Sequence, residues 1–339
     1  MWIVIICAGF AAGATPRNEI PIGPGLRALA APRHLDIGAA VAIEPLAGDP
    51  RYRDALARDC SILTSENVMK FGPIHPEPDR YAFEAADALV AFAQQHGMRV
   101  RGHALVWHEQ LAPWVTERQR TREEWQRLLH DHISAVVGHY KGRVYAWDVV
   151  NEAVAEDGTL RETPWLKGIG PDYLEMAFRW AHEADPDAKL FYNDYGESNE
   201  RKQKAIHRLL RDLLKKGAPI HGAGLQMHMD VDSHPRPSAV ARAITRLHRL
   251  GLEVHVTEMD VAVPEPFTDR RLGEQAELYR KMMRTCLDTK GCTAFITWGI
   301  SDRYSWIPAF RRGWGAALPL DAEFQAKPGY RAIRDALSR

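Results

Sequence analysis

The chain has 339 residues, of which 45% are hydrophobic and 26% charged, and its 44 basic side chains balance its 44 acidic ones. This length allows one large barrel or two modest domains. The balanced charge argues against nucleic acid as a partner, because neutralising phosphates requires a basic surface. The 10 Trp residues instead suit an uncharged ligand with flat apolar faces, such as a sugar chain.

The chain opens with an apolar run, MWIVIICAGFAAGA (1–14), that ends in small residues. This pattern predicts a secretory signal peptide, although the usual positively charged start is missing. We therefore expect a secreted or periplasmic protein. The run is too short to span a bilayer and no later segment is longer, so we expect no membrane association once it is removed. An N-terminal extension (15–33) and a single catalytic domain (34–339) would follow.

Short apolar runs then recur at even intervals, with amphipathic stretches between them. They predict strands at 34–42, 60–66, 99–107, 143–152, 189–195, 222–229, 252–260 and 293–299. The stretches between them predict helices at 84–97, 121–140, 172–186, 200–217 and 238–251. This alternation predicts a single (β/α)8 TIM barrel with its catalytic site at the C-terminal ends of the strands. A doubly wound open sheet is the alternative, but no strand is followed by a glycine-rich phosphate loop.

Polar or aromatic residues stand at the ends of strands 2 to 8, where a barrel places its active site. They are Glu66 and Asn67, Trp107 and His108, Asn151 and Glu152, Asn193 to Tyr195, Gln226 and His228, Glu258 and Asp260, and Trp298. Any one of them could simply cap the following helix. Their recurrence at one rim predicts a functional site.

Two of these residues, Glu152 and Glu258, end strands 4 and 7 and should face each other across the barrel mouth. Cleavage of a glycosidic bond needs such a pair, one protonated to release the leaving oxygen and one ionised to meet the positive charge at the sugar carbon. A separation of about 5–5.5 Å would retain configuration and a wider one would invert it. The sequence leaves that separation open. For each Glu, an ion pair or a helix-start charge is the alternative role.

The neighbours of the two glutamates favour different roles. Alternation along strand 7 places Glu258 and Asp260 on one face, so Asp260 could hold His228, which could donate a hydrogen bond to Glu258. Such a donor favours the ionised form and suits a nucleophile. Apolar residues precede Glu152 and Ala153 follows it, which favours the protonated form of an acid.

Strand 4 raises a geometric question, because Asn151 and Glu152 would point to opposite faces of a flat strand. Both have to reach the sugar if the site works as described. We therefore predict that the regular strand ends at or before Asn151, with a bend or bulge there.

These strand ends resemble the motifs of glycoside hydrolase family 10, the endo-β-1,4-xylanases. The resemblance runs from about residue 34 to the C-terminus and rests on WDVVNEA (147–153), VTEMD (256–260), SENVMKF (65–71), RGHALVWHEQ (101–110), YNDY (192–195), GLQMHM (224–229) and TWGISDRYSW (297–306). It implies a retaining mechanism without metal or cofactor, with Glu152 as acid/base and Glu258 as nucleophile. Methionines at 227, 229 and 259 and the carboxylate of Glu109 depart from the usual pattern.

The resemblance also implies which residues bind the sugar chain. Asn151 would bond the 2-hydroxyl of the sugar under attack, and Tyr195 would lie on the leaving-group side. The remaining substrate-binding residues would be Glu66, Asn67, Lys70, His103, Trp107, Gln110, Gln226, His228, Trp298 and Trp306. Of these, Glu66, Asn67 and Lys70 would grip the non-reducing side, and their spacing independently places them on one face of a helical turn.

The number and spacing of the cysteines are consistent with export to an oxidising compartment. Cys286 and Cys292 bracket the polar turn LDTKG and could form a local disulfide in an oxidising compartment. Cys7 would leave with the signal peptide, and Cys60 is most simply a small buried residue. We expect a monomer.

The leading hypothesis is a secreted endo-xylanase whose partners are xylan and xylo-oligosaccharides. A retaining β-1,4-glucanase of the same clan and a sugar-binding barrel without catalysis are the alternatives, and the presence of both Glu152 and Glu258 weighs against the second. A metal-dependent hydrolase would need two His at one strand end, where QMHMD (226–230) offers one.

Overall fold

A computed structural model describes residues 23–338 of the chain. The predicted signal peptide (1–14) and residues 15–22 of the predicted extension lie outside the described residues. Within 23–338, no helix combines the length and apolarity that crossing a bilayer requires.

Within the described residues, eight parallel strands form a closed barrel, which confirms the predicted fold. Each strand pairs with the next along the chain, and the eighth pairs with the first to close the ring. The strands are β1 Asp36–Val41, β2 Ile62–Ser65, β3 Arg99–Val106, β4 Ala146–Asn151, β5 Lys189–Asp194, β6 Gly222–Leu225, β7 Glu253–Pro264 and β8 Cys292–Thr297. Closure removes the free edges that a doubly wound sheet would have.

A principal helix follows each strand and covers the outside of the barrel. These helices are α1 Pro50–Asp59, α2 Glu84–Gln95, α3 Arg122–His139, α4 Tyr173–Ala184, α5 Glu200–Lys215, α6 Pro237–His248, α7 Asp269–Asp288 and α8 Pro328–Leu337. Shorter helices occupy Leu26–Ala30, Ile43–Gly48, Phe71–Ile74, Pro113–Thr116, Pro164–Ile169 and Ile307–Phe310. Local sequence sets the helix starts: at α3, Thr121 and Glu124 form a reciprocal capping box.

The segment just before β1 packs against the N-terminal end of the barrel, opposite the strand ends that are predicted to form the site. The helix Leu26–Ala30 is followed by a 3-10 turn, Ala31–Arg33. The Leu26 backbone N–H donates to the Asp59 carboxylate over 3.0 Å. Residues 26–33 thus cover the N-terminal end of the barrel.

A buried charge network fills the barrel interior below the site. Arg101 is fully buried and forms a two-pronged ion pair with Asp148. Its Nη1 also lies 2.9 Å from Nδ1 of His255. Burial, together with the neighbouring guanidinium of Arg101, holds the pKa of His255 well below its usual value, so the neutral ring accepts this hydrogen bond. Asp148 Oδ2 lies 3.0 Å from His103 Nδ1 and so links the network to the barrel mouth.

The end of β4 has the predicted irregularity. The strand stops at Asn151, and its pairing with β5 shifts register between Asp148 and Val150. Glu152 then adopts a φ of 57°, in the left-handed region. This conformation costs a non-glycine residue about 1–2 kcal/mol, and such strain collects at functional sites.

The predicted strand at 222–229 is wrong in its second half. β6 ends at Leu225, because Met227 has a φ of 64° and breaks the extended backbone. A separate short strand, His228–Asp230, then pairs with β7. Gln226 and His228 therefore do not lie on one continuous strand.

Three of the four cysteines lie within residues 23–338, and Cys7 lies outside the described residues. Cys286, near the end of α7, forms a disulfide with Cys292, the first residue of β8. Cys60 is buried and free.

Candidate active site

An open cleft of about 720 Å³ lies at the C-terminal ends of the strands. Every catalytic and substrate-binding residue predicted from the sequence lines it: Glu66, Asn67, Lys70, His103, Trp107, Gln110, Asn151, Glu152, Tyr195, Gln226, His228, Glu258, Trp298 and Trp306. Asp260 is fully buried behind His228. The cleft has polar side chains on its floor and aromatic side chains on its walls.

Glu258 lies deep in the cleft, with 4% of its surface exposed. Its Oε2 lies 3.1 Å from Nε2 of His228, and its Oε1 accepts a 2.6 Å hydrogen bond from the Asn193 amide. Burial alone would raise the pKa of Glu258. The hydrogen bonds from His228 and Asn193 and the charges of His103 and His228 outweigh burial and lower it, so this carboxylate is ionised at neutral pH.

His228 supplies the cation beside Glu258. Its Nδ1 lies 3.0 Å from Asp260 Oδ2, so the ring sits between two carboxylates. Burial disfavours the charged ring, but the charge and hydrogen bond of Asp260 and those of Glu258 raise the pKa of His228 well above its usual value. Asp260 also accepts a 2.8 Å hydrogen bond from Trp306 Nε1, which orients one aromatic wall.

Glu152 has a polar environment, contrary to the apolar surroundings expected from its sequence neighbours. Oε2 accepts a 3.0 Å hydrogen bond from Trp107 Nε1, and Oε1 accepts one of 2.9 Å from Gln226 Nε2. Trp107 presents its N–H edge to the carboxylate rather than its ring face. Arg161 Nε donates to the Glu152 backbone carbonyl over 2.9 Å and supports the left-handed turn.

Asn193 connects the two halves of the site; the sequence placed it among the strand-end residues but assigned it no catalytic or substrate-binding role. Its amide nitrogen donates to Asn151 Oδ1 over 3.0 Å as well as to Glu258. Its oxygen accepts a 2.8 Å hydrogen bond from the Thr257 hydroxyl, which fixes the amide orientation. Gly224 makes room for it, since an added Cβ would collide with Asn193 Oδ1. The signal in the sequence was YNDY, where Asn193 lies one residue before the strand end.

One end of the cleft carries a buried cation. Lys70 is 6% exposed, and its Nζ donates to Asn67 Oδ1 over 3.0 Å. The same Nζ lies 5.0 Å from the ring centroid of Trp107 and 5.8 Å from that of Trp298. Burial lowers the pKa of Lys70 and raises that of Glu66, although Lys70 partly offsets the latter. A turn closed by Lys70 N and Asn67 O brings the three polar residues together, as their spacing predicts.

The other end of the cleft is built around Tyr195. Its hydroxyl accepts a 2.8 Å hydrogen bond from Arg161, and Lys202 Nζ lies 3.2 Å from its ring centroid. Lys202 also pairs with Asp194 over 3.0 Å. Burial raises the pKa of Asp194 to about 6, although Lys202 and Tyr192 act in the opposite sense. Arg161 lies on a loop and Lys202 lies on α5. The strand-end pattern in the sequence therefore did not predict either of them.

The site therefore combines an ionised, buried carboxylate with a second carboxylate of different environment, between aromatic walls and amide groups. Aromatic faces suit the C–H faces of sugars, and amides and charges suit their hydroxyls. The carboxylate pair suits acid/base and nucleophilic catalysis of glycosidic bond cleavage. Within residues 23–338, no three His, Cys, Asp or Glu side chains are grouped as metal ligands.

Comparisons with known proteins agree with this arrangement. The model of glycosyl hydrolase family 10 matches residues 25–336. Endo-1,4-beta-xylanase B of Thermotoga neapolitana is 43% identical over 314 residues, covering 91% of this chain and 90% of that protein. Endo-1,4-beta-xylanase A of Humicola insolens is 42% identical over 276 residues, covering 81% of this chain and 73% of that protein.

Solved structures show the same similarity. Native xylanase 10B of Thermotoga maritima superposes with a TM-score of 0.89 at 44% identity, covering 92% of this chain and 98% of that one. Xylanase 10B of Thermotoga petrophila RKU-1, solved in complex with xylobiose, superposes with a TM-score of 0.90 at 44% identity, covering 93% and 97%.

Proposed function

This chain belongs to glycosyl hydrolase family 10, and from that premise we propose that it is an endo-1,4-β-xylanase that hydrolyses internal bonds of xylan with retention of configuration. Its relatives from Thermotoga neapolitana and Humicola insolens are endo-1,4-beta-xylanases. The observation that carries the catalytic proposal is the pair of contacts by which His228 and Asn193 hold the Glu258 carboxylate deep in the cleft, and these contacts favour its ionised form.

In the first step, Glu258 is the nucleophile. One of its oxygens forms a bond to the anomeric carbon while the bond from that carbon to the leaving sugar oxygen breaks. Asn193 and His228 hold the carboxylate during the approach, and Asn151, bonded to Asn193, faces the cleft where a 2-hydroxyl would lie. A hydrogen bond to that hydroxyl strengthens as positive charge grows at the neighbouring carbon.

Glu152 is the acid and then the base. It transfers its proton to the departing oxygen in the first step and takes a proton from water in the second. That water attacks the anomeric carbon and displaces Glu258, so two inversions give net retention. Trp107 and Gln226 fix the direction of the Glu152 carboxyl, and its left-handed backbone turns it into the cleft.

The substrate is proposed to lie along the cleft between the two ends already described. Xylobiose is bound in the structure of the Thermotoga petrophila enzyme. At one end of the cleft Glu66, Lys70 and Trp298 all line the surface, and we propose that this set of side chains leaves room for a sugar without a hydroxymethyl group. Xylose meets that condition and glucose does not.

Export is proposed from two features. The apolar segment 1–14 has the pattern of a signal peptide. The Cys286–Cys292 disulfide is a type of bond that persists in oxidising compartments. Mass spectrometry of protein purified from the culture medium or periplasm would identify a cleaved N-terminus. Recovery of the uncleaved chain from the cytoplasm alone would contradict export.

The activity is tested by comparing products from xylan and from carboxymethyl cellulose. We expect xylo-oligosaccharides from wild type, with proton NMR showing the β-anomer as first product. Glu258→Ala should release none, whereas Glu253→Ala, on the same strand at the far end of the barrel, should remain active. Activity on the glucan alone would contradict the substrate assignment, and an α-anomer as first product would contradict retention.

A further inference from the structure

Another carboxylate that lines the cleft, Glu197, has no part in the chemistry described above. It lies in the loop between β5 and α5 and is only 7% exposed, although it lines the cleft. Its Oε1 accepts a 3.2 Å hydrogen bond from the backbone N–H of Met227. A buried carboxyl that bonds a backbone group in another loop acts on the conformation of that loop.

Met227 is the residue at which the chain leaves β6 by a left-handed turn, with a φ of 64°. Its two neighbours reach the two carboxylates of the active site. Gln226 donates to Glu152 over 2.9 Å, and His228 lies 3.1 Å from Glu258. In an extended strand, the side chains of Gln226 and His228 would point to the same face and be spaced along the strand direction. The turn at Met227 changes that arrangement, and it therefore determines the positions of both side chains.

We propose that Glu197 is a positioning residue that fixes the turn at Met227 and thereby aims Gln226 at Glu152 and His228 at Glu258. The inference rests on the proposed roles of Glu152 and Glu258. The left-handed conformation of Met227 costs about 1–2 kcal/mol, and the hydrogen bond from its N–H to Glu197 offsets part of that cost. One side chain thus sets the direction of two others.

The charge state of Glu197 shows which substitution preserves this contact. Burial raises the pKa of Glu197 to about 7, although the Met227 hydrogen bond and the charge of His228 act in the opposite sense. In mildly acidic solution the group is a neutral carboxylic acid whose carbonyl oxygen accepts from Met227. Glutamine has the same length and the same acceptor, and leucine has similar bulk with none.

The experiment compares Glu197→Gln, Glu197→Leu and a control, Glu200→Leu, with xylan at pH 6. Glu200 lies three residues further along and is exposed, paired with Lys204 on the surface. We expect Glu197→Leu to lower kcat about 10-fold with KM within twofold, because about 1.4 kcal/mol of positioning is lost from both carboxylates. Glu197→Gln and the control should stay within about twofold of wild type.

Three results would overturn the proposal. Equal losses in Glu197→Gln and Glu197→Leu would mean that the charge matters and the acceptor does not. A change in KM alone would mean that Glu197 contacts the sugar. Unchanged kcat in Glu197→Leu would mean that the turn needs no support. Glu197→Ala replaces the leucine variant if that variant does not fold.

Crystal structures of Glu197→Gln and Glu197→Leu separate this inference from the proposed function. In the leucine variant we expect Met227 to leave the left-handed region and the distance from His228 Nε2 to Glu258 to exceed 3.5 Å. The glutamine variant should keep both. These structures require no substrate. If the wild type were inactive on xylan, the proposed function would be refuted, and the crystal structures would still test the positioning role. An unchanged turn in the leucine variant would refute the positioning role itself.

Discussion

The two catalytic carboxylates proposed here are supported in opposite ways. Glu258 lies inside a continuous strand, β7, and is buried between His228 and Asn193. Glu152 lies one residue beyond the end of β4, in a left-handed turn, and is half-buried. A nucleophile has one role and one charge state before attack, so a fixed cation serves it. An acid that must later become a base is better served by neutral donors, here the Trp107 N–H and the Gln226 amide.

The largest predicted effect separates the two carboxylates by substrate. Glu258→Ala should lower kcat at least about 10³-fold on xylan and on an aryl β-xylobioside alike, because bond formation to the anomeric carbon is lost. Glu152→Ala should lower kcat/KM by a similar factor on xylan but far less on a dinitrophenyl xylobioside, because kcat/KM reports the first step and this leaving group needs no proton there. Initial rates on both substrates measure the difference.

Added azide supplies the control for that pair. In Glu152→Ala it should accelerate turnover and give the β-glycosyl azide, because it replaces water in the second step. In Glu258→Ala it should give the α-glycosyl azide, by direct attack from the vacated face. The same azide anomer from both variants would contradict the assignment of roles.

A smaller effect is expected when the cation beside Glu258 is removed. In His228→Gln, burial is opposed by fewer favourable interactions, so the pKa of Glu258 rises. The nucleophile must be ionised, and the acid limb of kcat/KM should therefore move to higher pH. At pH 6 we expect a loss of about 10- to 100-fold, the value of one charge-assisted hydrogen bond. His130→Gln, on the exposed surface of α3, is the matched control.

The same cation predicts how stability depends on pH. Because the pKa of His228 is raised on folding, its contribution to the free energy of unfolding is complete below about pH 6.5, its unfolded value, and is lost as pH rises through the folded value. Chemical denaturation from pH 6 to 10 should show that decline in wild type and a flatter curve in His228→Gln. Parallel curves would contradict a protonated His228 in the folded enzyme.

Removing one neutral hydrogen-bond donor to Glu152 should reduce activity less than removing the cation beside Glu258. Trp107→Phe keeps an aromatic wall but deletes the N–H that bonds Glu152 Oε2. We expect kcat on xylan to fall about 10-fold, consistent with a lost hydrogen bond of about 1–2 kcal/mol. On the dinitrophenyl xylobioside the fall should be smaller, because the first step then needs no acid. Equal losses on both substrates would place the role of Trp107 in sugar binding alone.

The fold could be predicted because each barrel strand is a short apolar run followed by a helix with its own stop signal. Gly97, for example, has a φ of 64° and lies two residues after Gln95, the last residue of α2, close to where the sequence predicted a helix end. The break inside 222–229 could not be predicted in this way. The residue type of Met227 does not indicate a left-handed backbone, and the carboxylate that accepts a hydrogen bond from its N–H belongs to Glu197, which is 30 residues away.

The candidate site could be predicted as a set of strand-end residues, and its geometry only in part. The bend at Asn151 followed from requiring two adjacent side chains to face one cleft. The surroundings of Glu152 did not follow from its neighbours in sequence, because Trp107 and Gln226 come from other strand ends. Arg161 and Lys202 were missed for a related reason: their contacts with the site depend on loop packing, which periodicity does not report.

The smallest effect on catalysis is expected from the disulfide Cys286–Cys292, which lies far from Glu258 in the barrel. Cys292 pairs with Val254 at the beginning of β7, at the end of the barrel opposite the cleft. Closing so short a loop contributes about 2 kcal/mol to the free energy of unfolding. Replacing both Cys286 and Cys292 with Ser should therefore lower Tm by about 4 °C and leave kcat and the acid limb unchanged. Calorimetry and pH profiles check both outcomes, and Cys60→Ser serves as the control for thiol removal. A shifted acid limb in the double variant would mean that the support of Glu258 extends along β7 to the opposite end of the barrel, whereas the contacts described here confine it to the mouth.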